Sequence, residues 1–143
     1  HKAKEAGIVI KTEPVPGDLM VRGEQVRLSQ VFVNLISNAV DANIQAGGKN
    51  VFVEVAADDD IVRIDVLDEG TGIDQEINSS IFDPFFTTKD VGEGLGLGLS
   101  IAYNIIHDFG GTLTARNRNG GGAVFSVTLP RALPMASKSR AAE

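Results

Sequence analysis

The chain of 143 residues contains no cysteine, so neither a disulfide nor a thiolate-held metal can contribute to its fold or its chemistry. No apolar run approaches the roughly 18 residues of a membrane span, and no signal peptide is visible. Excess positive charge is also missing. The formal net charge is -6, from 13 basic and 19 acidic side chains. That balance argues against a nucleic-acid surface, which should be basic. It also means that a polyanionic ligand must be held by local features, not by the overall field. No internal repeat of useful length occurs. The remaining composition, 43% hydrophobic and 22% charged, is ordinary for one globular domain with a single core. The chain opens on charged residues without Met, which leads to the expectation of an excised fragment with any membrane segments upstream.

Gly7–Thr12 alternates enough to read as an edge strand, and Leu19–Val21 as a second short one. From Glu24 to about Gln45 the pattern turns helical. Val26, Val33, Ile36, Val40 and Ile44 recur at helical spacings and predict one apolar face, and Gly47-Gly48 ends the helix. Val51–Ala57 and Ile61–Leu67 are rich in Val and Ile and read as a hairpin turned by Asp58-Asp59-Asp60. A loop, Asp68–Ile73, leads to a short helical piece near Gln75–Ile81. Next comes Phe82–Gly98, with Pro, many glycines and little periodicity. A helix from about Leu99 to Phe109 is closed by Gly110-Gly111, and strands Thr112–Arg116 and Ala123–Leu129 flank a Gly-rich turn. This interleaving predicts an α+β, two-layer α/β sandwich, a mixed sheet covered on one face by helices and partly open on the other. Residues 1–130 are assigned to one folded domain. Residues 131–143, small and charged, are assigned to a disordered tail.

Four constellations could carry chemistry. Asn34 and Asn38, at i and i+4 in the first long helix, project from one side of it. Asn is a poor helix former, and such amides either bond a neighbouring loop or offer oxygens to Mg²⁺, a hard ion that prefers oxygen ligands. Gln30 and Asp41 flank them. Second, Asp68-Glu69-Gly70-Thr71-Gly72 follows a strand. A carboxylate there can accept a hydrogen bond from an exocyclic amine, and the glycines let backbone approach a flat ring. Adenine would present a donor to Asp68, whereas guanine would present a repelled carbonyl. An ordinary Asp/Gly turn is the plain alternative. Third, Gly92, Gly94, Gly96 and Gly98 precede Leu99 and a helix start, so accessible backbone N–H groups and a positive dipole end suit a polyphosphate. The run is neither a Walker loop nor a dinucleotide fingerprint. Fourth, Phe82-Asp83-Pro84-Phe85-Phe86-Thr87-Thr88-Lys89 puts three aromatics beside Lys89. At least one Phe is expected to be plain core, and the rest could anchor a lid over a ligand.

In order and spacing, Asn34–Ala39, Asp68–Gly72, Phe82–Phe86 and Gly92–Gly98 resemble the N, first-glycine, F and second-glycine boxes of sensor histidine kinases. These belong to the ATPase superfamily shared with gyrase, Hsp90 and MutL. The likeness runs from about Arg22 to Leu129. The Asp-Pro-Phe-Phe-Thr-Thr-Lys and Gly-Leu-Gly-Leu-Gly-Leu-Ser stretches are most similar to the nitrogen-regulation and C4-dicarboxylate-transport sensors. The resemblance implies that Asn38 ligates Mg²⁺ with Asn34 assisting, and that Asp68 takes the adenine amine of ATP beside Gly70 and Gly72. It implies that Gly94, Gly96, Gly98 and Leu99 line the triphosphate at the hinge of a flexible ATP lid, with Lys89 a phosphate contact. The implied reaction is transfer of the γ-phosphoryl to a histidine on a separate dimerisation and phosphoacceptor domain. The implied partners are that domain and a response regulator, with no nucleic acid. The implied setting is the cytoplasmic part of a membrane-anchored homodimeric sensor. Two departures stand out: Ala123 lies where relatives carry Thr, and Asp41 where many carry Lys or Arg. His107 is read as a surface helix position and not as a phosphoacceptor, because Gly110-Gly111 stop its helix just beyond it. Another kinase or clamp of the superfamily, and a non-catalytic docking module, remain as alternatives.

Overall fold

The computed structural model describes residues 2–15, 19–74, 80–83 and 98–132. A short helix α1 (Lys2–Glu5), with no periodic signal in the sequence, precedes β1 (Val9–Thr12) and β2 (Met20–Val21). The long helix α2 (Gln25–Ala46) is followed by β3 (Asn50–Ala57) and β4 (Ile61–Leu67), then α3 (Gly98–Asp108), β5 (Thr112–Asn117) and β6 (Ala123–Ala132). The six strands form one sheet in the order β1-β3-β4-β6-β2, with β5 also paired to β6. β1 runs parallel to β3, and every other pairing is antiparallel. The α+β sandwich with a mixed sheet and helices on one face is the expected architecture. The β3–β4 hairpin turns where Asp58 Oδ1 accepts the N–H groups of Asp60 and Ile61, both at 2.8 Å, an Asx turn that the three aspartates made legible.

One cluster makes the core. Val31, Leu35 and Ala39 of α2 and Ala102, Ile105 and Ile106 of α3 close over Val51, Val66, Leu113, Phe125, Val127 and Leu129 of the sheet. Period-two alternation sends Asp65 and Ser126, which are register partners, to the opposite face. There Arg63 approaches Asp65 at 3.4 Å and Arg116 donates to Ser126 at 2.9 Å. β6 continues to Ala132, pairing Arg131 and Ala132 with Val21 and Met20. The first two residues of the expected disordered tail, 131–143, are therefore ordered in β6 by pairing with β2; the remainder, 133–143, and 75–79, most of the expected short helix, lie outside the described residues. Among the described residues no helix is long and apolar enough to cross a membrane.

The face of α2 differs from expectation. Val26, Val33 and Ile44 are exposed, at 72%, 65% and 47%, whereas Val31, Leu35, Ala39, Val40 and Asn43 are buried. Two apolar stripes share this helix, and both satisfy helical spacing. The stripe through Leu28, Val31, Phe32, Leu35 and Ala39 is the one that meets α3 and the sheet. Ile36 and Val40 lie where the two stripes meet, which is why periodicity alone selected the wrong one. A Val33→Ser variant is accordingly expected to unfold in urea within about 0.5 kcal/mol of the parent, as an exposed position should. A loss of 2 kcal/mol or more (the scale of a buried valine) would contradict this orientation.

Candidate functional site

Asn34, Asn38 and Ala42 form an i, i+4, i+8 row climbing α2 along the edge of its buried stripe. At 1.5 Å rise per residue the row is about 12 Å long, with Asn38 about 6 Å from either end. Both ends are occupied by sequence-predicted site residues. At the lower end Asn34 Nδ2 donates to the carbonyl of Gly98 at 3.2 Å, so the last glycine of the glycine run opens α3 directly against this amide. At the upper end Gly70 lies on Ala42. A Cβ at Gly70 would stand 2.8 Å from Ala42 Cβ and 3.0 Å from its carbonyl oxygen, which only glycine avoids. Gly70 thus serves helix–loop contact, a tighter reason for glycine than the approach of a ring. Asn34 and Asn38 are half-buried, and Leu99 is half-buried at the start of α3.

Asp68 directly follows β4, with its side chain buried and the residue 1% exposed. Its Oδ1 accepts the N–H of Gly70 at 2.9 Å and of Ala123 at 3.0 Å. Its main chain is tied as well, with N–H donating to Ala123 O at 3.0 Å and the carbonyl accepting from Arg118 Nη1 at 2.7 Å. Among the described residues, the bonds the carboxylate accepts both end on Oδ1. Burial pushes the Asp68 carboxyl above the usual carboxylate range, against the lowering effects of the Gly70 and Ala123 N–H groups and of Arg118. An acid held this way, with one oxygen committed to backbone and the other not, is a fixed acceptor. Ala123 contributes through its backbone, so the absence of a Thr hydroxyl there leaves this hold on Asp68 intact.

Gly72, with φ 86°, lies beside Asn117, whose side chain bonds both the N–H of Ile73 at 2.6 Å and its carbonyl at 2.9 Å. Asn117 and Arg118 together pin the loop from Asp68 to Ile73 onto the end of β5. The sequence pointed to neither. Polar residues after a strand are too common to be a signal, and only the β5–β6 hairpin brings them to this loop. Asn43 and Glu69 were likewise missed. Asn43 could have been found as a polar side chain within the correct apolar stripe of α2.

Phe82 stacks on Tyr103 at 5.4 Å between ring centroids and meets Phe125 edge-on at 6.3 Å. This is the core role expected for at least one aromatic of the Phe segment. His107 is exposed and stacks on Tyr103 at 6.2 Å. Lys89, Gly94 and Gly96, together with Phe85 and Phe86, lie outside the described residues. Among the described residues no group of three or more His, Cys, Asp or Glu converges on a point where a metal could sit. The side-chain oxygens that the row itself carries are the amides of Asn34 and Asn38. They fit a hard divalent cation that keeps waters and ligand phosphates in its shell, and they would not by themselves build a cage.

The molecule is thus an α/β sandwich with helices on one face of a mixed sheet, a buried acid just after a central strand and an amide row on the adjoining helix. The chain belongs to the histidine kinase-, DNA gyrase B- and HSP90-like ATPase family, whose model matches residues 23–133. It is 37% identical over 131 residues to the sensor protein FixL of Bradyrhizobium diazoefficiens, covering 91% of this chain and 26% of FixL. It is 39% identical over 132 residues to the C4-dicarboxylate transport sensor protein DctS of Rhodobacter capsulatus, covering 91% of this chain and 19% of DctS. Full-length ShkA, crystallised in complex with AMPPNP, matches with a TM-score of 0.76 at 30% identity over 92% of this chain and 27% of ShkA. The chain therefore spans no more than 27% of any of these three proteins.

Proposed function

We propose that this domain binds Mg·ATP along the Asn34–Asn38–Ala42 row and supplies it for transfer of the γ-phosphoryl to a histidine imidazole on a separate helical domain. The observation that carries the reading is that the row ends on Gly98 at one side and on the Asp68–Gly70 loop at the other. A ligand with a base at the Asp68 end and a charged tail at the glycine end has the polarity this row offers, and the row's length of about 12 Å suits a nucleotide. Asp68 accepts from the adenine amine. Asn38, with Asn34 beside it, holds the cation that neutralises the phosphates when bound. Gly94, Gly96, Gly98, Leu99 and Lys89 take the triphosphate. In the transfer, the bond from the γ-phosphorus to the β–γ bridging oxygen breaks as a bond to an imidazole nitrogen forms, and ADP departs with the electron pair. Such a step asks mainly for positioning and charge neutralisation. The likeness to FixL and DctS, both sensor proteins, supports a place in two-component signalling. In this reading a response regulator is the downstream acceptor, which the solved complex of the similar histidine kinase ThkA with response regulator protein TrrA supports, and the whole protein is a membrane-anchored homodimer.

The metal assignment is tested by titrating Mg·ATP into the parent and Asn38→Ala proteins by calorimetry, with EDTA controls. The variant is expected to bind Mg·ATP about tenfold more weakly, the scale of one lost charged contact. Its affinity should also become nearly indifferent to Mg²⁺. Unchanged affinity, together with unchanged formation of acid-labile phosphohistidine on a supplied phosphoacceptor domain, would reject it.

A further inference from the structure

A ring of hydrogen bonds joins the far end of α2 to the loop that carries Asp68. Asn43 is fully buried within the apolar stripe of α2. Its Oδ1 accepts the N–H of Glu69 at 2.7 Å, and its Nδ2 donates to the carbonyl of Asn50 at 2.8 Å. Glu69 closes the ring. Its Oε1 accepts from Asn50 N at 2.7 Å, from Asn50 Nδ2 at 3.2 Å and from Lys49 N at 3.1 Å. Gly48 sits inside this joint, where a Cβ would fall 2.7 Å from the Glu69 carbonyl oxygen and 3.0 Å from Asn43 Oδ1. A buried amide with both ends satisfied fixes its partners far more tightly than apolar contact does. The Asn50 and Lys49 N–H groups also hold the Glu69 carboxyl below its ordinary range, with Arg118 adding to the effect, so the ring stays charge-assisted to a lower pH than a free glutamate would allow.

We infer that Glu69, through its ring with Asn43 and Asn50, is a positioning residue that sets the spacing between the base-binding acid Asp68 and the amides Asn34 and Asn38. The inference rests on the nucleotide reading above. Glu69 is the chain neighbour of Asp68, and Asn43 lies five residues beyond Asn38 on the same rigid helix. The ring is therefore a short mechanical link between the two ends of the ligand. Asp68 has a separate hold on β6 and Arg118 that does not pass through Glu69. Loosening the ring should leave the base end competent but let its distance from the amide row drift. A ligand that touches both ends must then order the joint on binding, whereas a ligand that touches only one need not.

The test measures Mg·ATP and adenosine affinities of the parent, Glu69→Ala and Glu69→Gln proteins, with urea midpoints alongside. Glu69→Ala is expected to weaken Mg·ATP about tenfold, one hydrogen bond to a charged group, and adenosine by less than about twofold. Glu69→Gln keeps an acceptor oxygen for Asn50 and is expected to restore Mg·ATP to within about twofold of the parent. A loss no larger for Mg·ATP than for adenosine, or no recovery in Glu69→Gln, overturns the positioning role, because a merely structural contribution would move both ligands together. If the parent protein binds neither ligand, it is the nucleotide reading that fails, and the positioning role falls with it.

Discussion

Replacing Asp68 by Asn is expected to weaken ATP binding by about a hundredfold or more, equivalent to about 3 kcal/mol, while making the nucleotide-free domain more stable. Both effects follow from the two oxygens of one carboxylate. Oδ1 accepts from Gly70 and Ala123, so the amide oxygen of an Asn must take that position to keep those bonds. The NH₂ is then left where Oδ2 stood, donor facing the adenine amine. For stability, burial raises the folded-state pKa of Asp68. A carboxyl raised in this way is a penalty to the fold once ionised. The penalty is absent below the unfolded pKa, grows as pH rises toward the folded one and is complete above it. Asn removes it. The same shift predicts that ATP affinity falls on acidification at a higher pH than an ordinary aspartate would dictate, because the protonated acid presents a hydrogen to the amine. Calorimetric titrations across pH, with urea unfolding of both proteins, check these outcomes. Equal affinity for ATP and GTP in the parent, or a less stable Asp68→Asn, would contradict the arrangement.

Gly122→Ala is expected to lose about 3 kcal/mol or more of stability, or to fail to fold. Gly122 stands at φ 92°, in the left-handed region that an alanine adopts only under strain. Its backbone also runs against the Asp68–Glu69 peptide. A methyl group there would overlap the Asp68 carbonyl oxygen and stand 2.8 Å from the Asp68 carbonyl carbon. That oxygen already accepts from Arg118 Nη1, and Gly122 O accepts from Arg118 N at 2.9 Å, so the turn has no slack with which to yield. The acid loop and the β5–β6 turn are in effect one packed unit. A urea midpoint equal to the parent's would show that they are not.

Apart from the short α1, the types and chain order of the described elements were readable from residues alone. Runs of Val and Ile around three aspartates set the β3–β4 hairpin, glycine pairs stopped both long helices, and the spacing of the Asn, Asp-Gly and Gly runs pointed to a nucleotide. Those features are local, since caps, turns and β-branched runs act within a few residues of themselves. The buried side of α2 was decided only by folding. Val26 and Val33, seven residues apart, and Val31 and Leu35, four apart, satisfy helical spacing equally and differ in which pair meets the sheet. The same holds for the partners of Asp68. Ala123 N and Arg118 reach Asp68 from the β5–β6 hairpin, while Asn43 and Asn50 hold its neighbour Glu69, and no pattern along the sequence measures distances that arise only when separate elements pack together.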